Sequence, residues 1–375
     1  MSSQPLRIAL TTPLLSMPPT YFVTEHAEEL LRRGEDYSFA VHPLAARIEE
    51  GSTRVPVSPA LRIPASYAMR SRLAPAALPL QAAAVRRAQP DLVHQHHGVW
   101  TSGAAAAARA LDVPLVTTVH GTDMFTAALA RPRGLQRVHR AQARLAFERS
   151  ALVLAVSEDL RRVALAAGAP EERTVVHYQG IDTEVFTPPT SPRTPGEAPR
   201  VLYVGGLIPR KRVGLLVRAS LELAPTLPHT LEVVGDGPLR GELTAIADGA
   251  EHIRFAGSVD RAGVVEALRG ADLLVLPSRD EAAGLVLLEA QACGVPVVVT
   301  GGDGKAEMLQ DGVTGAVLSR DPAPAELARA LREWLPESAS ERSALAARVR
   351  RFVVEERSVR VGAQRLAEHY ARVLA

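Results

Sequence analysis

The sequence predicts an α/β protein made of two doubly wound parallel sheets, and three observations carry that expectation. A chain of 375 residues with 47% hydrophobic content is long enough for two cores. Short β-branched runs alternate with amphipathic helical patterns along its whole length. A proline-rich tract from Pro188 to Pro199 interrupts that alternation before it restarts. The expected layout is an N-terminal domain over 1–190, a linker over 191–199 and a second domain over 200–357. A terminal helix over 358–375 is expected to pack back onto the first domain.

In the first half, Leu6 to Thr11 reads as a strand and Tyr21 to Arg33 as an amphipathic helix closed by Gly34. Asp91 to His94 is a short buried strand, and Ala104 to Leu111 an alanine-rich helix. Pro114 to His120 is filled by β-branched residues and stopped by a GTD turn, so it reads as a strand. Arg137 to Ser150 is helical, Leu152 to Ser157 a strand, Glu158 to Ala167 a helix and Thr174 to His177 a strand. After the prolines come strands at Val201 to Val204, Thr230 to Val234 and Ile253 to Phe255, separated by helices at Val213 to Leu223, Leu239 to Ala247 and Ala262 to Arg269. The stretch Leu273 to Gly315 then reads as a strand ending at Pro277, a polar loop, a helix over Leu285 to Ala292, a strand at Val295 to Thr300 and a glycine-rich turn. Three helical segments close the chain.

Composition removes several function classes. A formal net charge of +2 and an aromatic content of 4% argue against a nucleic-acid partner. No apolar run approaches the ~20 residues that span a bilayer, and the amino terminus reads as a first strand. The single cysteine, Cys293, excludes an intrachain disulfide and suits a cytoplasmic protein. Of the 43 basic side chains only Lys211 and Lys305 are lysines, which marks places suited to a compact ammonium in preference to a planar fork.

Polar residues collect where predicted strands end. Gly205 and Gly206, followed by Arg210, Lys211 and Arg212 at a helix start, suit a diphosphate, though glycines and charges after a strand are a weak signal alone. Gly301 to Lys305 fits either an anion nest or a tight turn. Glu289 lies between Leu288 and Ala290, where an ionised group needs a partner or a ligand. A carboxylate there can grip vicinal hydroxyls such as those of a ribose, with Glu281 one loop away. His94, His96, His97, His120 and Asp123 end strands in the first half. HQHH does not make a metal site, because successive strand residues point to opposite faces and no third ligand cluster accompanies it. His120 suits a cleft position or a structural one. Arg133, Arg137, Arg140 and Arg144 form a basic helical stripe that fits a solvated face, or peripheral contact with an anionic membrane or a phosphorylated acceptor.

Several ordered segments then converge. VLYVGGLIPRKR, VVGDGPLRGEL, FAGSV, PSRDEAAGLVLLEAQACGVPVV and DGVTG with VLSR resemble the retaining glycosyltransferases of family 4, of the superfamily that holds glycogen synthase and phosphatidylinositol mannosyltransferase. DLVHQHHG, PLVTTVHGTD, VLAVSEDLR and VVHYQGIDTEVFTP match the first-domain segments in order. The resemblance implies the GT-B fold, two Rossmann-like doubly wound parallel-sheet domains facing a central cleft. It implies retaining transfer of a hexosyl or N-acetylhexosaminyl group from a nucleotide-diphosphate sugar, UDP favoured, to a hydroxyl acceptor in polysaccharide, glycolipid or secondary-metabolite assembly. Lys211 would neutralise the leaving diphosphate, Glu281 would contact the donor sugar, Glu289 the ribose, and His120 would sit beside the transferred sugar. Gly205, Gly206, Arg210, Arg212, Gly235, Ala283, Gly284 and Leu285 would complete the donor site. Ser16, His96, Asp123 and Arg137 are the acceptor-side candidates. The acceptor would be a small molecule, a glycan or a lipid-linked group, with no metal and no cofactor beyond the nucleotide sugar as co-substrate.

The chain departs from the family pattern in four places. Gly206 stands for a usual Arg, Ala282-Ala283-Gly284 for GFG, Gln179 for Asn, and Ser16-Met17-Pro18-Pro19 for a glycine pair. A pseudo-glycosyltransferase or sugar-nucleotide epimerase of the same fold, and a non-catalytic nucleotide-sugar sensor, are the alternatives these departures leave open. A dehydrogenase is disfavoured, because no dinucleotide fingerprint is present.

Overall fold

The computed structural model describes residues 4–17, 20–49, 51–61, 67–190 and 197–375. Most of the expected linker, and Pro18 and Pro19 of the first loop, lie outside the described residues. The chain divides into two compact units: residues up to Gln179 together with Val359–Ala375, and Gly180–Ser358.

The first unit carries β1 (Leu6–Met17), α1 (Glu25–Arg32), β2 (Tyr37–Ile48), α2 (Tyr67–Ala88), β3 (Leu92–His96), α3 (Ser102–Leu111), β4 (Leu115–Val119), α4 (Thr122–Ala127), α5 (Leu135–Arg149), β5 (Leu152–Ala155), α6 (Glu158–Ala166) and β6 (Thr174–Val176). Among the described residues its strands form one parallel sheet in the order β2-β1-β3-β4-β5-β6. The inner strands are apolar on both faces because helices cover both, so Leu92, Val93, Leu115, Val116 and Leu152 to Ala155 are all buried. The alanines of α3 let that helix lie close on the sheet, in a cluster with Ala9, Val85, Val93 and Leu115. A Cβ at Gly103 would come within 2.6 Å of the Gln81 side chain, which shows how closely α3 meets α2.

Two elements of this unit were not expected. β2 contains Pro43, which lacks an amide donor; β2 is the outermost named strand of the sheet, and on its outer side, where only isolated bridges to Val57 and Leu61 form, the Pro43 carbonyl still accepts the Ala60 amide at 2.9 Å. α2 contains Pro75 and Pro79 inside its span, which breaks the sequence pattern of a helix.

The second unit carries β7 (Arg200–Val204), α7 (Val213–Leu223), β8 (Thr230–Val234), α8 (Arg240–Ala247), β9 (Ile253–Gly257), α9 (Arg261–Arg269), β10 (Leu273–Leu276), α10 (Val286–Ala292), β11 (Val297–Thr300), β12 (Gly315–Leu318), α11 (Pro324–Trp334) and α12 (Ala339–Glu356). Its sheet is also parallel, in the order β12-β11-β10-β7-β8-β9. The chain starts in the middle at β7, builds outward through β8 and β9, then crosses back to β10 and builds the other way. β7 and β10 therefore flank the switch point, where an open parallel sheet leaves a crevice at its carboxyl edge.

The units divide at Gly180, ahead of the proline-rich tract, and the bonding of residues 180–187 explains why. Ile181 donates to the Arg357 carbonyl at 2.9 Å, and Arg350 donates to the carbonyls of Thr183 and Phe186, both at 3.0 Å. Arg269 binds Thr187 at both its carbonyl (3.0 Å) and its hydroxyl (2.6 Å).

The last helix, α13 (Val359–Leu374), packs against α1 of the first unit and buries Val359, Ala363, Leu366 and Tyr370. The Tyr370 hydroxyl lies 2.7 Å from Nδ1 of His94 in β3, so it satisfies a polar atom under the sheet. Replacing Tyr370 with Ala removes a fully buried ring and strands His94, and should destabilise the first unit by about 3–5 kcal/mol. Urea unfolding checks this, and a loss below about 1 kcal/mol would contradict the packing described.

Candidate functional site

The switch-point edge of the second unit begins where β7 ends. Gly205 takes φ 152° and donates its amide to the Val234 carbonyl, while the Tyr203 hydroxyl donates to the Gly206 carbonyl at 3.1 Å. The loop after β8 passes so close that a Cβ at Gly235 would sit 2.0 Å from the Gly205 carbonyl oxygen. Only glycine fits there. Gly205, Gly206 and Gly235 are thus brought together, and the chain then turns through Pro209–Lys211 into α7.

That turn faces the loop after β10. The Arg279 amide donates to the Arg210 carbonyl at 2.7 Å, which ties the two loops. The Glu281 carboxylate accepts from Lys211 Nζ, and from Arg210 at 3.1 Å. Glu281 and Lys211 are largely enclosed, with side chains 11% and 16% exposed, whereas Arg210 is 45% exposed. Ala282 and Ala283 follow, both buried, then Gly284 at φ 73° and Leu285 at the start of α10. Glu289 is buried in the first turn of that helix, beside Leu287 and Leu288.

Arg212, expected at the diphosphate, is engaged here by the protein itself. Its backbone is left-handed at φ 50°, and every guanidinium nitrogen is engaged. Nε donates to the Pro277 carbonyl (2.7 Å), one terminal nitrogen to Asp321 (2.8 Å), and the other to Thr300 and the Arg320 carbonyl (both 3.0 Å). Arg212 clasps the ends of β10, β11 and β12, and burial pulls its guanidinium below the ordinary value. Arg210 is left as the exposed cation beside Lys211.

Gly301 to Lys305 is not an open anion nest either. The Lys305 ammonium is fully buried and reaches both Asp303 carboxylate oxygens at 2.6 Å. Burial lowers its pKa, opposed by the hydrogen bond and charge of Asp303 and by the charge of Glu281. Asp303 also accepts the Glu281 amide at 3.2 Å. Sequence reasoning missed Asp303, and its place among glycines gave no signal for a buried role.

In the first unit the carboxyl edge gathers histidines. His96 ends β3 and His120 follows β4, with the Nδ1 of His96 3.1 Å from the Nε2 of His120 and the rings stacked. The Gln179 amide nitrogen lies 3.3 Å from Nδ1 of His120 and donates to it, so His120 carries its proton on Nε2 and gives it to His96. Phe22 packs on His120 with ring centres 4.7 Å apart. Asp123, an acceptor-side candidate, is buried and already accepts the amides of Gly98 (2.7 Å), Gly121 (2.8 Å) and His120 (3.2 Å). It holds two loops, which is a structural use. Ser16 is the penultimate residue of β1, its amide bonded to the Thr20 hydroxyl at 2.7 Å. Arg137 stays exposed on α5 and donates to the Pro132 carbonyl at 3.3 Å, while Arg140 donates to that of Ala127 at 3.0 Å. Two members of the basic stripe thus pin the loop before α5. Among the described residues no three His, Cys, Asp or Glu converge to hold a metal, and no helix is long and apolar enough to cross a membrane.

Two doubly wound parallel sheets, each ending in a polar carboxyl edge, define the GT-B class of fold. The Anabaena protein HepE, solved in complex with UDP and glucose, superposes with a TM-score of 0.75 at 23% identity over 97% of this chain and 99% of its own. Residues 198–337 match the model of the glycosyl transferases group 1, and residues 20–185 that of glycosyltransferase family 4. A D-inositol 3-phosphate glycosyltransferase of Kineococcus radiotolerans is 34% identical over 70% of this chain and 67% of its own length. That of Geodermatophilus obscurus is 34% identical over 62% of this chain, a match that spans 57% of the relative's length. The chain belongs to glycosyltransferase family 4.

The buried histidines make acid a specific stress. Burial pushes His94 down to about 3 and His26 to about 4, and holds His96, His120 and His177 well below their ordinary 6.5. Between those values and 6.5 the unfolded chain binds more protons than the folded one. Stability is therefore complete above about pH 6.5 and falls below it, by about 1.4 kcal/mol per pH unit for each histidine that stays neutral. Both ring nitrogens of His177 are buried without a hydrogen-bond partner among the described residues, so His177→Phe should flatten the slope. Thermal melts at pH 7.5, 6 and 5 test this, and a midpoint that does not fall with pH contradicts it.

Proposed function

We propose that this chain is a retaining glycosyltransferase that moves a hexosyl or N-acetylhexosaminyl group from a UDP-sugar to a hydroxyl acceptor. The observation that carries the reading is the Lys211–Glu281 pair with Arg210 beside it, at the switch-point edge of the second unit. A donor entering that edge exchanges partners with the pair. Its diphosphate takes Lys211 and Arg210, and its sugar hydroxyls take the carboxylate thus released. Glu289 grips the two ribose hydroxyls. The UDP and glucose bound by HepE support UDP as the nucleotide, and the inositol-phosphate relatives support a hydroxyl acceptor.

The chemistry needs charge stabilisation where the diphosphate departs, and fixed cations supply it without a metal. The acceptor oxygen attacks the anomeric carbon from the face of the leaving group. The bond from that carbon to the diphosphate oxygen breaks, its electron pair goes to the oxygen, and that oxygen takes the acceptor proton. Lys211 stabilises the oxygen through this step. The paired alanines, Ala282 and Ala283, put two small side chains directly after Glu281, which favours a donor bulkier than glucose, such as an N-acetylhexosamine.

A panel of UDP- and GDP-sugars, with diphosphate release followed with and without acceptors, tests the reading. UDP release that requires an acceptor is expected. Tight binding with no turnover on any acceptor would replace the transferase with a nucleotide-sugar sensor, and conversion of the nucleotide sugar itself would indicate an epimerase. Lys211→Ala should lower kcat by about 10²-fold or more. Glu289→Ala should instead weaken UDP binding about tenfold, the loss of a buried hydrogen-bonded contact. Negligible effects of both on binding and rate would place the donor site elsewhere.

A further inference from the structure

We infer that Asp303 and Lys305 form a buried clamp that positions Glu281, and this rests on the donor reading above. The chain spends two lysines among 43 basic side chains, and both converge on the same residue. Lys211 bonds the Glu281 carboxylate, and Lys305 acts on the Glu281 amide through Asp303.

The order of strands explains the convergence. β10 lies between β7 and β11, so the loop that carries Glu281 is flanked by the turn after β7 on one side and the turn after β11 on the other. From the first side come Lys211 and Arg210, which hold the carboxylate. From the second comes Asp303, whose Oδ2 accepts the Glu281 amide at 3.2 Å while its Oδ1 accepts the Lys305 amide at 3.3 Å. The residue before Glu281, Asp280, sits at φ 58°, a left-handed conformation that aspartate takes more readily than most residues, and the next amide in the chain is the one that meets Asp303.

Lys305 is what lets Asp303 do this. The Asp303 side chain is 7% exposed, and an anion that buried is costly to hold in place without a countercharge. Its strength as an acceptor comes from that charge. Lys305 supplies the countercharge at 0% exposure, and among the described residues its ammonium hydrogen bonds all go to Asp303. A slender ammonium stem fits this enclosed position where the wider guanidinium of arginine does not. Asp303 and Lys305 are therefore positioning residues, and they touch no reacting atom.

The test compares two double variants that both avoid a lone buried charge. D303N/K305M keeps an amide oxygen for the Glu281 amide, whereas D303A/K305M removes the acceptor. Hydrogen exchange of the 279–285 segment, kcat and KM for the donor, and the Kd of UDP are measured in each. D303A/K305M should lose protection over 279–285 and about tenfold or more in kcat, with UDP affinity within about threefold of the wild type. D303N/K305M should fall between it and the wild type on both counts. Unchanged protection and turnover in D303A/K305M overturns the clamp. So does a loss of UDP affinity in step with turnover, which marks a general collapse of the unit. Hydrogen exchange needs no substrate, so if the wild type proves inactive on every nucleotide sugar while exchange responds as expected, the clamp stands and the donor reading fails.

Discussion

The carboxyl edge of the second unit is organised around a carboxylate enclosed by cations where little water reaches it. Glu281 is 8% exposed, and a buried anion is stable only if cations and donors replace its hydration. Lys211 and Arg210 do so from one side, and removing one partner of such a pair costs about 3–5 kcal/mol. That cost explains why the two loops are pinned so closely, with the Arg279 amide on the Arg210 carbonyl and Arg212 spanning three strand ends. On the donor reading proposed above, a diphosphate would offer the cations a better partner and sugar hydroxyls would offer the carboxylate donors, so the resting pair would stand in for both ends of one substrate.

The two units solve different electrostatic problems. The edge of the second unit is built from fixed charges, while the edge of the first is built from histidines that burial keeps neutral. A neutral imidazole set whose protons are ordered by Gln179 offers directional hydrogen bonds without a net charge. Such groups can both donate to and accept from hydroxyls. Asp123 adds no exposed charge there, since its carboxylate is consumed by three backbone amides.

Much of this was legible in the sequence. The βα alternation gave both sheets, and the glycines with Lys211 and the pair of glutamates pointed to the edge that the strand order builds. The meeting of Lys211 with Glu281 was not legible, because the two lie 70 residues apart and touch only since β7 and β10 are neighbours. Arg212 looked like its neighbours in the RKR run, and only its left-handed backbone turns it away to Pro277, Thr300 and Asp321. Pro43 hid an edge strand and Pro75 with Pro79 hid a helix, since local rules for proline disfavour both elements. The unit boundary was obscured in the same way. The prolines drew attention past Gly180, while the bonds that assign 180–187 come from Arg269 and Arg350, far along the chain.

On the proposed donor reading, Glu281 recognises the sugar and, when no donor is present, occupies the cation meant for the diphosphate. Calorimetric titration of Glu281→Gln with UDP and with a UDP-sugar that the wild type turns over measures this directly. UDP should bind the variant as tightly as the wild type or more tightly, because Lys211 is released, while the added affinity contributed by the sugar should fall about tenfold. UDP and UDP-sugar affinities that fall together by the same factor would contradict it.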